Sequence, residues 1–233
     1  MPSPSVAFIL GFGPGVGSAV ARKLASIGYL VAVASRSGSN TRTSEGYLSL
    51  KADFAAPDSI PGLFASVRDE FHAPPAVVVY NAAVGTTPPL KESLFSIPVE
   101  AVRSDLNVNT ISPYVAAQQA VDGWASLPPQ VKKTFIYTGN VLNVRVLPIP
   151  MMMTAGMGKS ASAYWVSHAD AVYAAQGMRF FYADERFEDG AAKARAIDAD
   201  AHAEFYAQLA AHEGNVPALA TFVKDKGYVN FKL

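Results

Sequence analysis

Val6-Ala-Phe-Ile-Leu-Gly-Phe-Gly-Pro-Gly-Val-Gly-Ser-Ala-Val-Ala-Arg-Lys-Leu-Ala-Ser-Ile27 begins as an apolar run, turns through glycines at 11, 13, 15 and 17, and ends as a helical stretch. A strand, a glycine turn and a helix are the parts of a phosphate-binding βα unit. Glycine lets the turn adopt φ > 0 and lets a pyrophosphate approach the backbone. The helix N-terminus adds unpaired N–H donors and a partial positive charge. The stretch therefore predicts a dinucleotide site with Gly11, Gly15, Val16 and Gly17 against the phosphates.

The spacing narrows this reading. Gly-x-Gly-x-x-Gly fails from Gly11, because Val16 holds the last position, and from Gly13, because Ser18 does. Gly-x-x-x-Gly-x-Gly fits as Gly11, Gly15 and Gly17. In this spacing the segment resembles the short-chain dehydrogenase/reductase family, although Leu10 stands where that family usually has Thr.

Further apolar, β-branched or aromatic runs lie at 30–34, 47–50, 76–80, 134–137 and 178–182, with a last strand expected in 220–231. Such runs suit a parallel sheet buried on both faces. Helical stretches fall at 18–27, 57–71, 98–124, 157–176 and 187–213. The alternation predicts an α/β, Rossmann-like, doubly wound parallel sheet of order 3-2-1-4-5-6-7 with helices on both faces. Its ligand crevice would lie at the carboxyl ends of the strands. The chain is expected to form one NADP-binding domain over 1–233, with 185–233 as a substrate-side helix and tail. An apolar stripe from Phe187 to Leu209 suits either a helix covering the crevice or a simple packing helix.

Ser35-Arg36-Ser37 follows the second strand. An acid there would bond a ribose 2′-hydroxyl and repel a 2′-phosphate, whereas a guanidinium pairs a phosphate bidentately. NADP(H) is thus the expected cofactor, bound by Ser35 and Arg36, with Arg42 nearby in sequence. The resemblance implies more. Asp53-Phe54 resembles the family's adenine-contacting segment, and Asn81-Ala82-Ala83 its Asn-Asn-Ala-Gly segment. Asn109 falls at the family's active-site Asn.

The catalytic positions match only in part. The family uses a Ser after the fifth strand and a Tyr four residues before a Lys, so that one helical turn places Tyr and Lys on one face. Lys159 is present, expected to hold the nicotinamide ribose, but Ala155 stands in the Tyr position. Tyr137-Thr-Gly-Asn-Val141 lacks the Ser, leaving Thr138 or Asn140 as polar groups. The family's Pro-Gly after the sixth strand is replaced by Tyr182-Ala-Asp-Glu-Arg186. Tyr137, Thr154 and Tyr182 are candidate substitute proton donors, each of which packing explains equally well. Gly158-Lys159-Ser160 imitates the end of a Walker A loop, but Met153 stands where its first glycine is required.

These residues suit an NADPH-dependent reductase of non-standard active site, with Lys159 and Asn109 as its catalytic pair. Its small-molecule substrate would be an imine, an iminium or an activated carbonyl, since an iminium carbon needs no protonation before hydride arrives. Two alternatives stand beside it: a catalytically degenerate NADP(H)-binding sensor or scaffold, and a cofactor-independent lyase or cyclase. Pro-rich loops at 86–89 and 147–153 either contact substrate or serve as rigid connections.

Composition excludes several classes. The 233 residues are 50% hydrophobic and 16% charged with formal net charge zero, which suits a large core and gives no electrostatic reason for a nucleic-acid or membrane partner. With no cysteine, disulfides and thiolate zinc sites are excluded. The four histidines show no ligand spacing, and no metal site is expected. The opening apolar run has no basic segment before it and reads as a strand, not a signal peptide. A soluble protein is expected, with the cytoplasm as default compartment. Helices 106–124 and 157–176 are poor in charge and need cover on both sides; the resemblance implies that a homodimer or homotetramer interface supplies it, and cover by the chain's own tail is the alternative.

Overall fold

The structure, a computed structural model, describes residues 4–231. Its strands are β1 Val6–Leu10, β2 Leu30–Ser35, β3 Thr41–Arg42, β4 Leu48–Lys51, β5 Pro75–Tyr80, β6 Lys133–Thr138, β7 Met178–Glu185, β8 Leu219–Val223 and β9 Gly227–Tyr228. They form one sheet of order β3-β4-β2-β1-β5-β6-β7-β8-β9. The seven strands from β4 to β8 are parallel and reproduce the expected order. The sheet is nevertheless mixed, because the two-residue β3 and β9 pair antiparallel at its edges.

β1 is buried along its whole length, and its side chains alternate between two cores. Phe8 joins Val78, Phe135 and Phe180 beneath helices α2 (Ile60–Phe71), α4 (Ser112–Trp124) and α5 (Met152–Tyr173). Edge-to-face ring contacts, Phe8 with Phe64 at 5.2 Å and Trp124 with Phe180 at 5.6 Å, tie the helices to the strands. Ile9 joins Val33, Val79 and Phe181 beneath α1 (Val16–Ser26) and α6 (Ala199–Ala210). The order reverses between β1 and β5, which opens a crevice at their carboxyl ends.

Two helices depart from expectation. The stretch predicted as one helix over 98–124 is α3 (Val99–Leu106), a π turn over Asn107–Ile111, and α4. Pro113, four residues after Asn109, has no N–H to donate back to the Asn109 carbonyl, and Tyr137 Oη and Ser162 Oγ both donate to that carbonyl at 2.8 Å. The helix predicted over 187–213 is confined to α6. Gly190 turns the chain at φ +80°, and extended Asp198 caps α6 by accepting from the N–H groups of Asp200 and Ala201. Phe187 and Ile197 are consequently exposed, while Phe205 and Leu209 pack with Val20 and Leu24 of α1. α6 is thus a packing helix on the α1 face. No helix among the described residues is long and apolar enough to cross a membrane.

Candidate active site

β1 ends in a turn that only glycine can make. Gly11 has φ +102°, and a Cβ on it would run into the backbone of Asn81 and Ala82. A Cβ on Gly17 would meet the Gly11 carbonyl at 2.7 Å, which explains the close seating of α1 on the turn. Around Gly15 a Cβ would meet nothing within 4 Å. Gly15 is the N-cap of α1, Val16 its first residue, and no side chain caps the first amides. An uncapped helix N-terminus with room at Gly15 is what an anion site requires.

Beside this turn lies a cleft of about 530 Å³. Gly11, Ser35, Arg36, Asp53 and Phe54 line one part of it, and Asn81, Ala82 and Ala83 another. The sheet order accounts for this gathering, since the residues follow the neighbouring strands β1, β2, β4 and β5. Asn81 holds the arrangement together by donating from Nδ2 to the Gly11 carbonyl at 2.9 Å. Arg36 is exposed and makes no ion pair among the described residues. Arg42 does not join it, because its guanidinium is engaged by Glu70 at 2.6 Å and the Gly46 carbonyl at 2.7 Å. Asp53 Oδ1 accepts the Ala55 N–H, a local turn bond.

Lys159 and Asn109 lie outside that cleft. Lys159 is buried on α5, donates to the Thr138 carbonyl at 2.6 Å, and sits 4.4 Å from the centre of the Tyr137 ring. Burial lowers its pKa to about 7, opposed by the nearby Asp184 carboxylate. Asn109 is fully buried in the π turn and clamps Val84, accepting its N–H at 3.1 Å and donating to its carbonyl at 2.8 Å. A Cβ on Gly158 would run into Asn109, so this glycine serves the seating of α5 against the π turn, not a phosphate loop.

The candidate substitute donors are committed elsewhere. Tyr80, Tyr137 and Tyr182 stand in register on β5, β6 and β7, with rings stacked at 5.9 and 5.5 Å. Their hydroxyls donate to the carbonyls of Val108, Asn109 and Asn140, and burial raises the pKa of each. Thr154 Oγ1 donates to Asp105 at 2.6 Å and accepts the Thr86 N–H. Thr138 Oγ1 accepts from Tyr206 at 2.8 Å. A side chain at Gly139 would collide with the Tyr182 ring, so the end of β6 has no space for one. Asn140 differs, because it lines a second cavity, of about 430 Å³.

That cavity, between the ends of β6 and β7 and the loops 147–152 and 192–197, contains a polar cluster that sequence reading missed. Asp184 pairs with Arg186 at 2.5 Å, and burial raises its pKa to about 6 against the pull of that arginine. Glu185 Oε2 accepts the Asp198 N–H at 2.8 Å, and Lys193 Nζ lies 3.0 Å from Oε1. His202 Nδ1 lies 2.8 Å from the Asp198 carbonyl, which requires its proton on Nδ1, and burial lowers its pKa. The signal available in the sequence was Asp184-Glu185-Arg186 closing an otherwise apolar strand. No group of three or more acidic or histidine ligands able to hold a metal occurs among the described residues.

The chain is 39% identical over 243 residues to a short chain dehydrogenase/reductase of Cryptosporiopsis sp. (strain 8999), covering 99% of this chain and 96% of that relative. It belongs to the short-chain dehydrogenase/reductase family. No family model matches it. Among solved structures, a double variant of a short-chain dehydrogenase/reductase from Serratia marcescens matches with TM-score 0.77 at 24% identity, covering 96% of this chain and 97% of that one. A metagenomic short-chain oxidoreductase in complex with NADP matches with TM-score 0.75 at 19% identity, over 95% and 97% of the two chains. A short chain dehydrogenase from Burkholderia cenocepacia in complex with NADP gives 0.74 at 20%, over 96% and 97%. Within this family frame, Ala155 on α5 leaves this chain without a phenol one turn before Lys159.

Proposed function

We propose that this short-chain dehydrogenase/reductase is an NADPH-dependent reductase that acts on an imine, an iminium or an activated carbonyl. The observation that carries the reading is the cleft in which unpaired Arg36, Asp53 and the Asn81–Ala83 backbone meet beside the open N-terminus of α1. Open space at Gly15 fits a pyrophosphate, and a guanidinium after β2 in place of an acid fits a 2′-phosphate. The two NADP complexes among the matching solved structures support the same cofactor.

NADPH bound there would supply a hydride. Ser35 and Arg36 would hold its adenosine end, and Asn81, through the Gly11 carbonyl, would keep the turn in shape. Asn109 acts through Val84, whose backbone it clamps at the wall of the cleft. Lys159 would set the field beneath the nicotinamide side. Without a phenol at position 155, an electron-poor carbon is the acceptor these residues suit, because hydride transfer to an iminium requires no proton donor.

The buried engagement of Lys159 with Thr138 favours a second reading, a sensor or scaffold that binds NADP(H) without turnover. Titrating the purified protein with NADPH and NADH by fluorescence tests both readings, and screening imines before ketones separates them. Absence of NADPH binding would overturn both. We also propose assembly through α4 and α5, where Tyr114, Tyr164 and Val172 are exposed apolar groups on charge-poor helices.

A further inference from the structure

A groove of about 560 Å³, within the range of small-molecule sites, lies between the Leu94 turn, the loop 142–150 and the first turns of α5. Leu94, Val146, Leu147, Ile149, Met153 and Met157 give it an apolar lining, and Arg145 is the only charged residue among the described residues that line it. One wall is stiff. Pro148 and Pro150 fix their own φ angles, and the N–H groups of Ile149 and Met152 donate to the carbonyls of Leu147 and Ile149, each at 2.8 Å. The α5 residues of the lining, Met152, Met153, Gly156 and Met157, flank Ala155, so the groove lies on the helical turns that precede Lys159.

Arg145 is held at its base and free at its head. Its backbone N–H donates to the Val141 carbonyl at 2.9 Å and closes the turn after β6, while its exposed guanidinium makes no ion pair among the described residues. A guanidinium presents its donors as a planar fork that a carboxylate fits with two parallel hydrogen bonds. One cation on an apolar lining matches one negative charge on an apolar body. A phosphate would bring a second charge for which the groove has no second cation, and the Ser160 hydroxyl is spent on the Leu142 carbonyl at 3.2 Å. We infer that this groove binds an apolar, ring-sized monocarboxylate through Arg145. The inference rests on the proposed reductase reading only for the identity of that ligand as substrate, and assigns its chemical class.

Naphthoate and naphthamide are matched probes, alike in ring and shape but different in charge. Binding of each to the full chain is measured by fluorescence or calorimetry, with NADPH titrated in parallel. The wild type is expected to bind naphthoate, and Arg145→Met to lower the ratio of naphthoate to naphthamide affinity by about fivefold, the scale of an exposed ion pair, with naphthamide itself unchanged. Arg145→Lys is expected to keep most of that ratio. Gly156→Leu tests the place of the ring: a Cβ at Gly156 meets nothing within 4 Å, so the fold accepts the side chain while the groove loses room, and most binding of both probes is expected to be lost. A ratio unmoved by Arg145→Met, naphthoate binding untouched by Gly156→Leu, or no naphthoate binding by the wild type up to its solubility limit would each overturn the inference. So would a change of oligomeric state in Arg145→Met on size exclusion, which would give the groove to a second copy of the chain. The expected naphthoate behaviour in a protein that does not bind NADPH would sink the reductase reading alone.

Discussion

The Lys159 ammonium lies 4.4 Å from the centre of the Tyr137 ring and donates a hydrogen bond to the Thr138 carbonyl at 2.6 Å. Both groups are buried, so the charge is held by a π face and a carbonyl dipole in place of water. The pairing bears on pH dependence. The pKa of Lys159 falls from its ordinary 10.5 to about 7 on folding. Between these values the unfolded chain binds the extra proton, so this lysine makes stability rise with pH from about 7 to 10.5. Lys159→Met should lose that rise, and its gain over wild type should be largest below pH 7. Melting temperatures of both proteins across this range check it.

Arg36 should decide between the two nicotinamide cofactors. With no acid to occupy it, its loss removes a bidentate phosphate partner. Arg36→Ala is expected to weaken NADPH binding by about tenfold or more and to leave NADH binding within about twofold. Equal losses for the two cofactors would place the arginine elsewhere in recognition.

Gly11 and Gly15 should separate fold from binding. Gly11→Ala places a methyl group into the Asn81–Ala82 backbone at positive φ, which is expected to cost about 1–3 kcal/mol and is read by denaturant unfolding. Gly15→Ala meets open space and should leave stability within about 0.5 kcal/mol, while its methyl group weakens NADPH binding.

The tyrosine hydroxyls should matter for stability and not for proton supply. Tyr137→Phe removes a donor from the Asn109 carbonyl, which Ser162 still serves, and should cost about 1 kcal/mol. Combined with Ser162→Ala the loss should exceed the sum of the single changes, because the buried carbonyl is then unpaired. Turnover of any substrate found should be unchanged in Tyr137→Phe; a large drop in kcat would restore this phenol as a proton donor.

Strand positions, parallel order and the cleft residues were legible because each depends on local pattern. A buried strand reads as a β-branched run, the turn after β1 as its glycines, and the parallel order follows from helices that must cross over between strands. The boundaries of α6 were not, since the stripe from Phe187 to Leu209 keeps its apolar spacing through a segment that Gly190 and the Asp198 cap exclude from the helix.

From its sequence alone, this protein is a doubly wound α/β chain with a glycine-rich strand-to-helix turn, an arginine where an acid would select NAD(H), and an alanine where a phenol is expected. Those are statements about residue type at a position in the chain, and side-chain chemistry with backbone periodicity suffices for them. Tertiary structure alone decided that Lys159 turns inward to Thr138, that Asn109 spends its amide on Val84, and that Glu185 meets Lys193 and His202 beside a cavity. Each joins residues far apart in sequence or on different elements. Their partners are chosen by which buried polar groups must be satisfied once the sheet has closed, and no local pattern carries that information.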